Sequence, residues 1–365
     1  MTRPRVLFVS RTRYRLPPEP RVTAKFDALR RELDVRVLAS AAPGSLTNDE
    51  TFALVPPLRP RSLDGVVFWL ALPWRTARML REFRPRAVLC QTAYDGAAAL
   101  LARRIARVPA RVVVEVHADW RTSTRLYGSP SRRLLGRLGD AVAAAAIRRA
   151  DAVRTVSPFT AALVRELGVE PAADFPAYMD LDPFVVPPAP LPERPVALFV
   201  GVLEAYKNVD GLAAAWRLAA PRVPDASLHL VGDGTRKDVA EALVRDGARW
   251  DRGLSSEEVA AAMDAAWVLV LPSRSEGMGR VLVEAFCRGR GVVGTRAGSI
   301  PDLVMDGESG VLVDPGDPAA LADALVRVLS DRALAERLGA GARAAAAPWL
   351  QTPEEYATRT RELVA

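Results

Sequence analysis

The sequence predicts an α/β protein made of two Rossmann-like domains facing each other across a cleft. Three observations carry this. Short β-branched runs alternate with amphipathic segments of helical length, the pattern of a parallel sheet with helices on both faces. That pattern stops at a proline-rich stretch and then starts again. The chain has 365 residues, half of them hydrophobic, which is enough for two full cores.

In the first half, strands are expected at 5–10 (RVLFVS), 34–40, 87–92, 111–117 (RVVVEVH) and 152–157. Helices are expected between them, near 22–33, 66–84, 95–107, 131–149 and 158–167. The stretch 185–195 (VVPPAPLPERP) reads as a stiff extended linker. After it, strands are expected at 196–202, 227–232, 267–272, 291–295 and 310–313, with helices between them. Further helices follow at 318–329, 331–346 and near 353–364. The expected domains are therefore 1–185 and 186–350, with 351–365 as a terminal helix. Ligands of such sheets bind beyond the carboxyl ends of the strands.

Composition narrows the classes. Cys90 and Cys287 lie far apart in apolar segments, so no disulfide framework is expected and a reducing, cytoplasmic location is. The opening MTRPRVLFVS is too short in its apolar run for a signal peptide. The segment 65–74 (GVVFWLALPW) is too short to span a membrane, which needs roughly twenty apolar residues. It reads either as a buried helix start or as an interfacial helix, since Arg75, Arg78, Arg81 and Arg84 follow it at three-residue steps.

Residues 1–190 carry 30 Lys+Arg against 18 Asp+Glu, and residues 191–365 carry 20 against 25. A basic first half suggests an anionic partner, such as a membrane surface on the inner face; arginine-rich coding bias is the alternative. Nothing in the spacing of basic and aromatic residues supports nucleic acid. Only Lys25, Lys207 and Lys237 are lysines. In a chain that otherwise uses arginine, a lysine at a chemically meaningful place is notable.

Three stretches of the second half carry chemistry. FVGVLEAYKN closes a strand at Gly201 and then places Lys207 and Asn208 at a helix start. A cation there opposes the helix dipole unless an anion sits beside it. LHLVGDG (228–234) is a strand and a glycine turn around Gly232, and His229 within it reads as structural. LPSRSEGMGRVLVEAF places Glu276 before a helix and Glu284 inside it, with Gly277, Met278 and Gly279 forming the turn. The amides near Arg280 and Val281 would face an anion. Carboxylates accept hydrogen bonds from hydroxyls, and a nucleotide sugar has hydroxyls on both sides of its diphosphate. One acid therefore fits the sugar, the other the ribose.

These stretches, with GTRAGSIPDLVMDGESGVLVDPGDPAALADAL and PWLQTPEEY, resemble the retaining glycosyltransferases of family 4 (glycosyl transferases group 1), which have the GT-B fold. The resemblance implies that Glu276 touches donor-sugar hydroxyls, Glu284 the ribose and Lys207 the diphosphate. It places the nucleotide base near Arg252, Gly253 and Leu254, and brings the last helix back to the first domain. In VVVEVHADW it makes His117 a donor-sugar contact.

The chain departs from the family pattern in places. Val202 stands where an arginine is common, and SRTRYRLPPEPR replaces the glycine-rich loop after the first strand. Arg11, Arg13 and Arg15 would then serve the diphosphate or an anionic acceptor. PAY (176–178) replaces the usual Pro-Asn-Gly turn.

The expected activity is transfer of a sugar, with retention, from a UDP-, GDP- or ADP-sugar to an unidentified lipid-linked, saccharide or small-molecule acceptor. No cofactor or metal is expected; the Asp180–Asp182 pair (DLD) imitates a metal motif but lies beside the linker. Val202 and the missing glycine loop leave an inactive nucleotide-sugar-binding subunit as an alternative. A nucleotide-sugar epimerase is the other, though two histidines offer such an enzyme little acid–base chemistry.

Overall fold

The computed structural model describes residues 3–58, 61–122 and 130–365. The chain forms two compact units. The first comprises Met1–Arg121, Pro130–Tyr178 and Gln351–Ala365; the second contains Met179–Leu350.

The first unit holds β1 (Arg5–Tyr14), α1 (Pro20–Glu32), β2 (Asp34–Ala41), β3 (Phe52–Val55), α2 (Arg61–Phe83), β4 (Ala87–Cys90) and α3 (Ala93–Ala106). Then come β5 (Arg111–Val116), α4 (Pro130–Arg149), β6 (Ala152–Thr155), α5 (Pro158–Arg165) and β7 (Ala173–Asp174). The sheet is parallel in the order β3-β2-β1-β4-β5-β6-β7, so the strand order reverses between β1 and β4. Strands β4 and β5 are almost wholly buried, as a sheet covered on both faces requires. The short edge strands β3 and β7 were not expected from the sequence; each is too brief for its own periodic signal.

β1 is the largest departure. It runs on to Tyr14 through a register shift between Val9 and Arg13, where a loop was expected. Arg11 and Arg13 lie on this extension.

α2 shows which side chains of segment 65–74 are buried. Phe68 and Leu72 are buried, whereas Val66, Val67, Leu70 and Trp74 are exposed. The helix is amphipathic over this segment. The four-arginine stripe does not survive: Arg78 and Arg81 are exposed, Arg75 is half-buried and Arg84 lies past the helix end. Three-residue steps lose about 60° each, so over three steps the four arginines drift off one face. No helix among the described residues is long and apolar enough to cross a membrane.

The terminal helix, α13 (Pro353–Val364), belongs to this first unit. Thr352 and Glu355 form its capping box. Arg31 pairs with Glu354 at 2.7 Å and Arg361 with Glu32 at 3.0 Å, while Leu363 and Val364 enter the core.

The second unit holds β8 (Val196–Val200), α6 (Val209–Ala219), β9 (Ser227–Val231), α7 (Lys237–Arg245), β10 (Arg249–Asp251), α8 (Ser256–Asp264) and β11 (Val268–Leu271). They are followed by α9 (Arg280–Cys287), β12 (Gly291–Thr295), α10 (Ile300–Leu303), β13 (Gly310–Val313), α11 (Pro318–Leu329) and α12 (Arg332–Ala346). Its parallel sheet runs β10-β9-β8-β11-β12-β13, with the order reversing between β8 and β11. β10 is again a short edge strand without a sequence signal.

The proline-rich stretch, expected as a linker, is strapped onto this second unit. Arg288 donates to Val186 O at 2.9 Å, Arg290 to Ala189 O at 2.9 Å and Trp267 to Pro192 O at 2.9 Å. The passage between units falls after Tyr178 rather than at 185, because Met179, Leu181 and Phe184 are buried in the second core.

Candidate donor site at the switch point of the second unit

The site grows from the carboxyl ends of β8 and β11, where the strand order reverses and such sheets bind ligands. Gly201 follows β8 and its amide donates to Val231 O at 2.9 Å. Gly232, after β9, has φ 139°, and a Cβ there would stand 1.9 Å from Gly201 O. The two turns close on each other only because Gly232 has no side chain. Val202 is exposed.

The chain then makes a 3₁₀ turn, Ala205–Lys207, and Asn208 takes a left-handed φ of 55°. α6 begins only at Val209, so Lys207 does not open the helix as expected. Its side chain, 11% exposed, crosses to the β11 turn and donates from Nζ to Glu276 Oε1 at 2.6 Å. Asn208 is buried beside it, and its Oδ1 has no hydrogen-bond partner among the described residues.

Glu276 is fixed from several sides. Ser273 Oγ donates to the same Oε1 at 2.6 Å, and Thr295 Oγ1 donates to Ser273 O. The Ser299 amide donates to Glu276 O at 3.0 Å. Gly298, at φ 58°, allows that contact, since a Cβ there would lie 2.2 Å from Glu276 O. Arg274 N donates to Tyr206 O at 2.7 Å and ties the two turns together.

Gly279, at φ 61°, caps α9 without a side-chain hydrogen bond. Arg280 and Val281 begin the first turn, where a helix leaves its leading amides without i−4 acceptors; the Leu282 amide donates back to Gly279 O at 2.8 Å. One turn in, the buried Glu284 accepts from Arg280 Nε at 2.6 Å. Arg280 Nη2 also donates to Asp180 O at 3.4 Å, which puts the DLD stretch beside this helix.

The switch point therefore presents two acid–base pairs, Lys207–Glu276 and Arg280–Glu284. Each cation keeps donors beyond its partner: an ammonium has three and a guanidinium five. The sequence reading named all four residues but not their pairing. It missed Ser273, Gly298 and Ser299, whose roles depend on contacts between distant segments.

Beyond β10, Arg252 stacks on Trp250 at 4.8 Å, Gly253 takes φ 68° and Leu254 is half-buried. Trp250 Nε1 donates to Gly232 O at 2.8 Å. His229 Nε2 lies 2.9 Å from Asp251 Oδ2, and burial lowers its pKa. It braces the strand pair, as the structural reading expected.

Two other groups of candidates belong to the first unit. His117, after β5, is about one-third exposed and its Nε2 lies 3.1 Å from Glu115 Oε2. Glu115 faces Arg154 directly across the β5–β6 ladder and pairs with it. Burial, the largest single influence, pushes the Glu115 carboxyl up, but Arg154, His117 and Lys25 together outweigh it and hold it at about 2. An ionised Glu115 accepts from Nε2–H, which leaves Nδ1 of His117 for a ligand. Glu115 and Arg154 were missed, although a Glu two residues before the His shares its strand face.

Arg11 and Arg13 lie 3.5 and 3.8 Å from Asp64, while Arg15 is exposed. The Leu58 amide, with Arg11 and Arg13, holds the Asp64 carboxyl below its ordinary range. Arg11 and Arg13 thus sit on a strand and share a carboxylate, rather than lining a loop, and Arg15 lies just past the strand.

Two parallel-sheet, Rossmann-like units define the class of scaffold, and the comparisons name the family. Residues 187–345 match the family model "Glycosyl transferases group 1", and residues 18–173 match "Glycosyl transferase 4-like domain". The chain belongs to the group 1 glycosyltransferases, family 4, with the GT-B fold.

It is 33% identical over 156 residues to a sulfoquinovosyl transferase of Arabidopsis thaliana, covering 42% of this chain and 30% of that protein. It is 31% identical over 229 residues to a GDP-mannose-dependent alpha-(1-6)-phosphatidylinositol monomannoside mannosyltransferase of Mycolicibacterium smegmatis, covering 55% and 60%. The matches thus span about one third to three fifths of these curated relatives. Among solved structures, sucrose-phosphate synthase from Thermosynechococcus elongatus superposes with a TM-score of 0.80 at 21% identity, over 99% of this chain and 98% of that one. Anabaena HepE in complex with UDP-glucose superposes with a TM-score of 0.71 at 18% identity, over 98% and 99%.

Proposed function

We propose that the protein is a retaining, metal-independent glycosyltransferase that moves a hexosyl group from a nucleotide-diphospho-sugar. The observation that carries this reading is the Lys207–Glu276 pair at the switch point, with Arg280–Glu284 one helical turn away. In this reading Lys207, Arg280 and the first amides of α9 meet the charge that grows on the departing diphosphate. Preorganised donors of this kind contribute most when water is excluded. Glu284 takes the ribose hydroxyls and Glu276 the sugar hydroxyls. Arg252 to Leu254 flank the base. His117 contributes Nδ1 to the donor sugar, and the acceptor attacks the face from which the diphosphate leaves.

Donor chemistry is supported by the relatives: HepE is a UDP-glucose complex and the mannosyltransferase is named for GDP-mannose. UDP-, GDP- and ADP-sugars are the candidates for this chain. Arg11, Arg13 and Arg15 are assigned to an anionic acceptor. The basic first half is assigned to an anionic membrane on the cytoplasmic side.

A thermal-shift screen against UDP-, GDP- and ADP-sugars tests the reading, because a ligand that binds only the folded state raises the melting temperature by mass action. One nucleotide series should stabilise the protein and be hydrolysed or transferred. Stabilisation without any turnover would favour the binding-subunit alternative, for which Val202 speaks. No stabilisation by any of the three would remove the donor site.

A further inference from the structure

Three helices of the first unit form one layer, and their exposed faces share a pattern. α2, α3 and α4 connect parallel strands, so all three run in one direction, opposite to the strands. α3 lies between α2 and α4. On α2, Val66, Val67, Leu70 and Trp74 are exposed, and Arg78 and Arg81 follow on the same face. At 100° per residue these six positions lie within an arc of about 120°. On α3, Leu101 is exposed, followed by Arg104 and Arg107. On α4, Leu138 and Val142 are exposed, followed by Arg148 and Arg149. α2 and α3 show apolar side chains first and arginines near their ends; α4 shares the terminal arginines but also exposes Arg137 beside Leu138.

The arginine end contains a cavity of about 370 Å³ lined by Arg81, Arg84, Ala106, Arg107, Val108 and Pro109. Arg84 and Arg107 hold left-handed φ values of 48° and 55° at the ends of α2 and α3. Helix ends in this conformation favour Gly or Asn, which take it without strain. Two neighbouring helices instead carry arginine there, and both side chains line the cavity. Helix dipoles favour cations at these ends, and Arg81 also donates to Ile105 O at 2.7 Å. Neither effect requires an exposed tryptophan or three exposed leucines on the same layer.

We propose that this layer is a membrane-docking face. Val66, Leu70, Trp74, Leu101 and Leu138 enter the interfacial zone, and the recess of Arg81, Arg84 and Arg107 takes the phosphate of an anionic phospholipid headgroup. This inference rests on the reading that an anionic membrane is the partner, and adds the surface that meets it. Charge complementarity identifies the occupant. The exposed acid on the α2 face, Glu82, is already paired with Arg78, and Asp151 is paired with Arg103. An apolar face beside a basic rim suits lipid, with its acyl boundary and headgroup phosphates. Nucleic acid offers nothing to exposed leucines.

The full chain is to be floated with vesicles of phosphatidylcholine alone and of phosphatidylcholine with 30% phosphatidylglycerol. The wild type should bind the anionic vesicles at least tenfold better at low salt and lose them at high salt. Leu70→Ser with Trp74→Ser, and separately Arg84→Gln with Arg107→Gln, should each lower binding about tenfold. Both pairs should keep the wild-type circular dichroism. Trp74 should be quenched by bromo-lipids, a signal absent in Trp74→Phe. Wild type that ignores anionic vesicles at low salt sinks the membrane reading itself. Wild type that binds while both double variants bind equally well refutes this face and leaves the membrane reading standing. Glycerol 3-phosphate that displaces the protein fully at millimolar concentration makes the recess a soluble-anion site and overturns its assignment to lipid.

Discussion

Replacing Lys207 with Met tests the site most directly. The Lys207 and Glu276 side chains are 11% and 9% exposed, and their atoms meet at 2.6 Å. Removing the ammonium has two separable consequences. The first is structural: Glu276 keeps Ser273 as a donor but loses its counter-charge. Breaking a nearly buried pair from one side costs about 3 kcal/mol, the low end of the range, because one hydrogen bond remains. For a unit of this size that lowers the melting temperature by roughly 6–12 °C. The second is chemical: losing one preorganised donor to a developing anion costs about 10²–10³ in rate. Glu276→Gln in the Lys207→Met background separates them. It removes the stranded charge, so stability should return towards wild type while turnover stays low. Lys207→Arg should rescue only in part, since a planar guanidinium does not place its charge where a compact ammonium does. Thermal unfolding, nucleotide-diphosphate titration and donor hydrolysis are measured on all four proteins. If Lys207→Met keeps near wild-type turnover and nucleotide affinity, the diphosphate is held elsewhere and the site built on this turn is wrong.

Other expectations follow from the same geometry. Glu284→Ala should weaken binding of the free nucleotide, whereas Glu276→Ala should spare it and depress turnover; equal losses in a titration with nucleotide diphosphate would contradict the division of roles. Gly232→Ala should destabilise the protein by about 2–4 kcal/mol in urea unfolding, because it combines a forbidden φ with a backbone clash. Gly253→Ala, with open space around it, should cost much less. Burial raises the Asp95 carboxyl from 3.8 to about 7, so the folded state binds this proton more tightly than the unfolded one. Its contribution to stability therefore falls as pH rises from about 4 to about 7. Asp95→Asn should be more stable than wild type at pH 8 and nearly equal at pH 4; an equal gain at both would show that charge burial is not the cause.

The alternation of apolar runs and amphipathic helices made both sheets legible, because parallel strands buried on two faces are apolar along their whole length. The glycine turn, Lys207, Glu276 and Glu284 were legible because each breaks a local rule: a lysine in an arginine-rich chain, a carboxylate within an apolar helix. The edge strands β3, β7 and β10 were not, since two to four residues carry no period. Nor was the end of β1, where arginines that looked like loop residues extend a strand and share Asp64. Pairing was decided only by tertiary structure. Lys207 meets Glu276 across 69 positions, and Glu115 meets Arg154 across 39. A sequence orders residues along one dimension, whereas an ion pair depends on which strand lies beside which. The proline-rich stretch makes the same point. Its composition implies an extended chain, and it is extended. What holds it against the second unit is Arg288, Arg290 and Trp267, residues 75 to 102 positions away whose reach no local pattern records.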